Sequence, residues 1–193
     1  DEAQHDIQGK ILLDSLKLFR IKSIVMETEK DFKKAENLIN YAKKKSARVA
    51  LIFKPKTLTK VKHSHKENKN KILREEFILE LIKNVNKKTK IISSVGFNSR
   101  ELFFIRKREK IKNGKDFLMV GGMGHTAMTA LSISKYVKSK VICLDGDGSF
   151  IMHLGALSIL KNFKATNFKY ILIDNEAHES IGMQPIFINK IDF

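Results

Sequence analysis

The chain predicts an α/β fold, a parallel sheet flanked by helices, on three observations. Apolar, β-rich runs alternate with segments of helical apolar periodicity along nearly the whole length. The glycine-rich and polar clusters at 93–96, 121–125, 145–149 and 174–180 fall where apolar runs end, and ligands of open parallel sheets sit beyond the carboxyl ends of the strands. A basic stretch without periodicity interrupts the alternation once, at 54–71.

Taken in order, residues 11–19 (ILLDSLKLF) carry helical apolar spacing, and 21–26 follow as a short β-rich run. A helix is predicted over 31–45, where Asp31 is a first-turn acid and the lysines of the last turn suit the macrodipole. The continuous apolar run 48–53 (RVALIF) predicts a strand buried on both faces, ended by Pro55. The segment KPKTLTKVKHSHKENKNK then reads as an interdomain linker. His63 and His65 lie within it and fit two solvated histidines better than a metal site.

Beyond the linker the pattern predicts an amphipathic helix over 72–85, a strand over 90–94 and a helix over 98–108 capped by Asn98. A short strand over 117–120 enters GGMGH, and an Ala- and Ser-rich helix covers 126–137. Then come a strand at 140–144, a helix at 153–163 and a strand at 168–173. His125 and His153 each stand where a helix should begin, which gives them a role in shaping the fold. Strand–helix–strand repeats at this spacing require parallel pairing. The expected organisation is a first domain over 1–54, a linker over 55–71 and a second domain over 72–193.

A net charge of +16 and a pI near 9.8 raise the possibility of a nucleic-acid partner. The surplus is lysine, however, with only six arginines (Arg20, Arg48, Arg74, Arg100, Arg106 and Arg108), and the lysines are scattered over helix faces and linkers. Base and phosphate readers lean on arginine and clustered aromatics, so neither nucleic acid nor membrane is an expected partner. A non-catalytic, basic RNA-binding module is the alternative from a different class. Cys143 is the one cysteine, so no disulfide framework exists, and its place in an apolar strand predicts a buried structural thiol. No apolar run approaches the roughly 18 residues of a membrane span. No secretory leader opens the chain, and a cytoplasmic location is expected. The start at Asp1 and the apolar stretch 186–193 without a closing element suggest a piece of something longer.

Two stretches carry the chemistry: VICLDGDGSF (141–150) and ILIDNEAHES (171–180). In the first an apolar strand runs into a turn carrying Gly146, Asp147 and Gly148; in the second a strand ends at Asn175. A helix and a strand lie between them, so the crossover returns the chain to a neighbouring parallel strand and sets the two side chains side by side. Mg²⁺ prefers about six oxygen ligands and combines one or two carboxylates with phosphates. An ordinary polar turn would explain a lone GDG. GDGSF followed by an asparagine at the next strand end favours a Mg²⁺-held diphosphate.

GDGSF, a spacer of about 25–30 residues and a strand-ending Asn resemble the diphosphate-binding signature of thiamine diphosphate enzymes. GGMGH, CLDGDGSFIMHLGAL, DNEAHESIGMQP and IISSVGFNSREL are similar to the phosphonopyruvate decarboxylases among them. The resemblance implies a thiamine-diphosphate-binding fold over 72–193, preceded over 1–54 by the tail of a pyrimidine-binding α/β domain. It implies thiamine diphosphate and Mg²⁺ as cofactors, with Asp147, the side chain of Asn175 and the backbone carbonyl of Ala177 as metal ligands. Gly146, Gly148 and Ser149 would meet the diphosphate, while Ser94 and Gly96 belong to a loop that approaches the cofactor. Met123, between Gly122 and Gly124, would hold the pyrimidine near the thiazolium. His178 and Glu179 would stand close to the substrate, and His5 would contribute from the other domain.

The implied reaction is decarboxylation of 3-phosphonopyruvate, a small 2-oxo acid, to phosphonoacetaldehyde and carbon dioxide. Sulfopyruvate or another 2-oxo acid is the alternative substrate. Arg100 is a candidate for the phosphonate. A homo-oligomer is implied, with each cofactor between two subunits. Where the resembled family commonly reads NNGAHESVGGQP, this chain has Asp174, Glu176 and Met183 at Asn, Gly and Gly positions. The glutamate that activates the cofactor is expected upstream of Asp1, so the 193 residues alone should be inactive.

Overall fold

The computed structural model describes residues 5–59, 72–112, 115–163 and 165–188. It divides into two compact units, Asp1–Ser64 and His65–Phe193. Most of the expected linker, with His63 and His65, and the last residues of the 186–193 stretch lie outside the described residues. Among the described residues no helix is long and apolar enough to cross a membrane.

The first unit is one α-then-βαβ run: α1 (His5–Leu18), β1 (Lys22–Met26), α2 (Phe32–Lys45) and β2 (Val49–Phe53). Its strands pair in parallel from Lys22 opposite Val49 to Met26 opposite Phe53. Asp31 closes the 3-10 turn before α2 by accepting the backbone N–H groups of Glu27 and Thr28, both at 3.2 Å. Ser46, in the left-handed region at φ 47°, ends α2. Contrary to expectation, β2 is not buried on both faces. Its residues are half-buried and Phe53 is exposed, because among the described residues β2 has a single strand neighbour.

The second unit is built on a four-stranded parallel sheet in the order β4-β3-β5-β6. Its elements are α3 (Arg74–Asn84), β3 (Lys90–Ser93), α4 (Phe97–Arg108), β4 (Phe117–Leu118), α5 (Thr126–Tyr136) and β5 (Val141–Gly146). They continue as α6 (Asp147–Met152), α7 (Ala156–Asn162) and β6 (Phe168–Ile173). An antiparallel pair, β7 (Ala177–His178) with β8 (Gln184–Pro185), had no counterpart in the sequence expectation.

The two-residue period of β5 divides the core. Ile142 and Leu144 face α3 and α4 through Ile78, Ile82, Leu102 and Ile105, while Val141 and Cys143 face Ala127 and Ala130 of α5. A strand clothed on both faces needs apolar residues at every position, which is what VICL supplies. Leu144 is fully buried, and Leu144→Ala would cost about 2–5 kcal/mol.

Three local expectations fail for identifiable reasons. The GDG segment is a strand-to-helix switch rather than a free turn: Gly146 is the extended cap, and Asp147, Gly148 and Ser149 form the first turn of α6. The helix expected over 153–163 accordingly begins later and covers Ala156–Asn162. His153 ends α6 instead of beginning a helix, and α7 starts only after Gly155. Finally, Gly96 holds the cap of α4 at φ 101°, whereas Asn98 lies inside the first turn and donates to Ser94 Oγ at 3.0 Å.

Candidate functional site

The carboxyl ends of β3, β5 and β6 and the loop after β4 converge on one cleft in the second unit. Ser94, Met123, Gly146, Asp147, Gly148, Ser149, Asn175, Ala177, His178 and Glu179 all line it. Ten of the residues singled out in the sequence, drawn from four separate segments, are thus brought together. Gly96, Gly122 and Gly124 are neighbours of these residues in the sequence and are not part of the cleft lining. His5 belongs to the first unit, exposed at the start of α1. Arg100 is exposed on α4 with its guanidinium over the Phe97 ring at 5.6 Å, and it is not part of the cleft lining.

Asp147 follows directly on β5, and Asn175 leaves β6 two residues after its last position; the two strands pair in register from Val141 opposite Phe168 to Gly146 opposite Ile173. The Asp147 carboxylate is buried. Its Oδ1 accepts the N–H of Gly148 at 2.8 Å, and its Oδ2 accepts the N–H of Asn175 at 3.2 Å. Burial raises its pKa above the ordinary value; the Gly148 N–H works against that rise, and the neighbouring Asp174 carboxylate adds to it. A small, hard cation would relieve the like charges of the buried Asp147 and the exposed Asp174. Each Asp147 oxygen also keeps a lone pair beyond its one hydrogen bond.

Asn175 and Ala177, which carry an amide and a carbonyl oxygen, line the same cleft as Asp147. Among the described residues no group of three or more His, Cys, Asp or Glu could hold a metal ion. A cation here would therefore depend on amide, carbonyl and phosphate oxygens, the donor set Mg²⁺ favours. The residues fit the implied group.

Glycine is required where the fold closes on this cleft. A Cβ at Gly148 would lie 2.5 Å from the His178 imidazole and 3.1 Å from the Ile186 side chain. Gly124, at φ 88°, donates its N–H to Ser149 Oγ at 3.1 Å, and a Cβ there would meet Met152 and His153 at 3.1 and 3.2 Å. Met123, half-buried beside it, lines the cleft.

Two further residues carry weight that the sequence reading did not give them. Asp145 is buried and accepts the Tyr170 hydroxyl at 2.8 Å and the Gly146 N–H at 3.0 Å. Burial pushes its carboxyl up, while hydrogen bonds from Ser149, Tyr170, Gly146 and Ser94 work in the opposite direction, tying β5 to the cleft-lining serines. The acid doublet around Gly146 signalled this residue. The Cys143 thiol is pushed upward too, by burial and then by Asp145, which makes it inert packing rather than a nucleophile.

The second is Arg74, the first residue of α3. Its Nε and Nη2 make a fork on Glu101 at 2.8 and 2.5 Å, and its Nη1 reaches Glu179 Oε2 at 2.7 Å. Burial opposes the guanidinium charge, but the hydrogen bonds to Glu101 and Glu179 outweigh it and raise the pKa. Glu179 Oε2 also accepts Asn175 Nδ2 at 3.1 Å. No local pattern could have marked Arg74, because its partners lie 27 and 105 positions away.

Comparison with known proteins gives the chain relatives. Sulfopyruvate decarboxylase subunit beta of Methanocaldococcus jannaschii is 35% identical over 117 residues, covering 61% of this chain and 60% of that one. Sulfopyruvate decarboxylase subunit beta of Methanothermobacter thermautotrophicus is 32% identical over 114 residues, 59% of each chain. Phosphonopyruvate decarboxylase of Streptomyces viridochromogenes is 32% identical over 102 residues, 53% of this chain and 24% of that protein. The chain thus matches about three fifths of the beta subunits and about a quarter of the phosphonopyruvate enzyme. The family described as thiamine pyrophosphate enzyme, C-terminal TPP binding domain, matches residues 94–190, just over half of the chain, and the chain belongs to that family.

Proposed function

We propose that the second unit holds thiamine diphosphate through Mg²⁺ and forms part of a decarboxylase for a small 2-oxo acid with an acidic group on C3. The observation that carries this reading is the pairing of Asp147 with Asn175 at the ends of adjacent parallel strands, within a cleft shared with Met123 and His178. Asp147, the Asn175 side-chain oxygen and the Ala177 carbonyl would hold the cation. Gly146, Gly148, Ser149, Ser94 and Gly96 would border the diphosphate. Thiamine diphosphate, when bound, supplies a nucleophilic carbon and an electron sink for loss of carbon dioxide from a 2-oxo acid.

The chain's own residues supply orientation and exclusion of water. Met123, flanked by Gly122 and Gly124, offers an apolar support for the bent cofactor. His178 packs against Gly148 and lines the cleft, and there it would hold or deliver a proton. Glu179 touches Asn175 and Arg74, so its first task is to hold the cation ligand. His5 would enter from the pyrimidine-side unit. The domain limits 1–54, 55–71 and 72–193 go with this reading, as do a cytoplasmic location and no nucleic-acid or membrane partner.

Sulfopyruvate comes before phosphonopyruvate as the substrate, which reverses the order the motifs alone suggested. The beta-subunit relatives support this, since they match over a larger share of both chains. Their designation as subunits also supports a site completed by another polypeptide, whether a distinct subunit or a second copy of this chain. The test is to offer 3-sulfopyruvate and 3-phosphonopyruvate side by side to the complete assembly with thiamine diphosphate and Mg²⁺. Sulfoacetaldehyde formed well ahead of phosphonoacetaldehyde is the expected result. The reverse order reassigns the substrate, and no aldehyde from either sinks the decarboxylase reading.

A further inference from the structure

We infer that Arg74 is a positioning residue for the cation site: through Glu179 it fixes the side-chain amide of Asn175 so that the amide oxygen is left to serve as a ligand. The inference rests on the reading of Asp147 and Asn175 given above and adds a residue to it.

The argument begins with the amide itself. Asn175 stands between two groups of opposite kind. Its Nδ2 donates to a carboxylate oxygen of Glu179 at 3.1 Å, and its Oδ1 accepts the N–H of Ala177 at 3.3 Å. Rotated by half a turn, the amide would set oxygen against carboxylate and NH₂ against N–H, so both contacts become repulsive. The orientation of the amide is therefore as good as the placement of Glu179.

Glu179 lies in a short 3-10 turn on a loop, where a long side chain has many rotamers. What holds it is Arg74 Nη1 at 2.7 Å, on the same Oε2 atom that Asn175 uses. Arg74 is in turn held by its fork on Glu101 of α4 and packs over the Phe97 ring at 5.4 Å. Its side chain is only 16% exposed. A planar guanidinium can grip two carboxylates at once in a fixed geometry, which a lysine ammonium cannot reproduce. The chain of contacts thus runs from rigid helices α3 and α4 through one arginine and one glutamate to the proposed ligand. Partners of this kind commonly change metal affinity by about 10–100-fold when removed.

The test is Mn²⁺ binding to the complete assembly with saturating thiamine diphosphate, read by the EPR signal of free Mn²⁺, alongside thermal midpoints. Arg74→Met should raise the Mn²⁺ dissociation constant about tenfold. Arg106→Met, which breaks the buried ion pair with Asp116 away from the cleft lining, should lower the midpoint comparably but leave Mn²⁺ affinity within about twofold of wild type. Arg74→Lys should recover part of the lost affinity. A merely structural role would lower midpoints without separating Arg74→Met from Arg106→Met in affinity, and that result overturns the inference. If Arg74→Met fails to fold, Arg74→Lys and Glu179→Gln carry the comparison, and wild-type affinity in both overturns it. A wild-type complete assembly that binds no Mn²⁺ with thiamine diphosphate overturns the underlying site reading instead.

Discussion

The Asp147 carboxylate accepts the backbone N–H of Asn175 at 3.2 Å, so the acid that follows β5 is tied to the segment leaving β6. The contact fixes the spacing between two side chains that sit 28 positions apart in the chain. It also orders the loop that carries Ala177, His178 and Glu179, since Asn175 begins it. The site's preorganisation therefore rests on strand pairing, the most rigid part of the second unit.

Gly148→Ala should disrupt this arrangement from the other side. The added methyl would lie 2.5 Å from the His178 ring, so the imidazole must swing away from Gly148 or the helix start must shift. Overpacking of this kind costs about 1–3 kcal/mol. The expected outcome is a lower midpoint in chemical denaturation together with weaker cofactor binding by calorimetry. A variant with wild-type affinity would show that His178 moves aside freely.

Glu176 and Met183 should be improvable. They occupy glycine positions of the resembled motif, and both adopt left-handed backbone, at φ 55° and 59°. A non-glycine residue there costs roughly 1–2 kcal/mol, part of which glycine forfeits through its freer unfolded chain. Glu176→Gly and Met183→Gly should each stabilise the protein by about 0.5–1 kcal/mol, measured by urea unfolding. Destabilisation would mean that the present side chains make contacts worth more than the strain.

In the first unit, Asp31 predicts a pH dependence. Hydrogen bonds from the Glu27 and Thr28 N–H groups, and more weakly Lys34, hold its carboxyl below the ordinary 3.8. A folded pKa below the unfolded one stabilises the fold above the unfolded value, and the contribution is lost as pH falls through the folded value. Wild type should therefore exceed Asp31→Asn in stability at neutral pH, with the gap closing below pH 3.8. A gap that persists unchanged in acid would assign the effect to the loss of the turn geometry rather than to the charge.

Much of this was legible in local patterns. The alternation of β5 with its neighbours, and the positions of Asp147 and Asn175 at strand ends, follow from apolar runs and one crossover length. The order of the sheet then brings Ser94 and Met123 to the same cleft, as the clustering of polar residues at strand ends implied. The start of α6 was hidden because Gly146 and Gly148 flank Asp147 and glycine is a poor helix former, so the switch into a helix looked like a turn. Asn98 has the composition of a cap, yet its amide is drawn inward to Ser94. Arg74 was illegible for a different reason: its function lies in contacts with Glu101 and Glu179, which only the packed helices bring together.

The central claim, that Asp147 and Asn175 hold a diphosphate through a divalent cation, is tested most directly by thermal unfolding of the complete assembly with and without thiamine diphosphate plus Mg²⁺. At a hundred times the dissociation constant, specific binding adds about 2.7 kcal/mol, which is roughly 5–10 °C for a chain of this size. The account predicts such a rise for wild type, only when both ligands are present, and its loss in Asp147→Ala. A midpoint that stays put in wild type, or rises equally in Asp147→Ala, would contradict it.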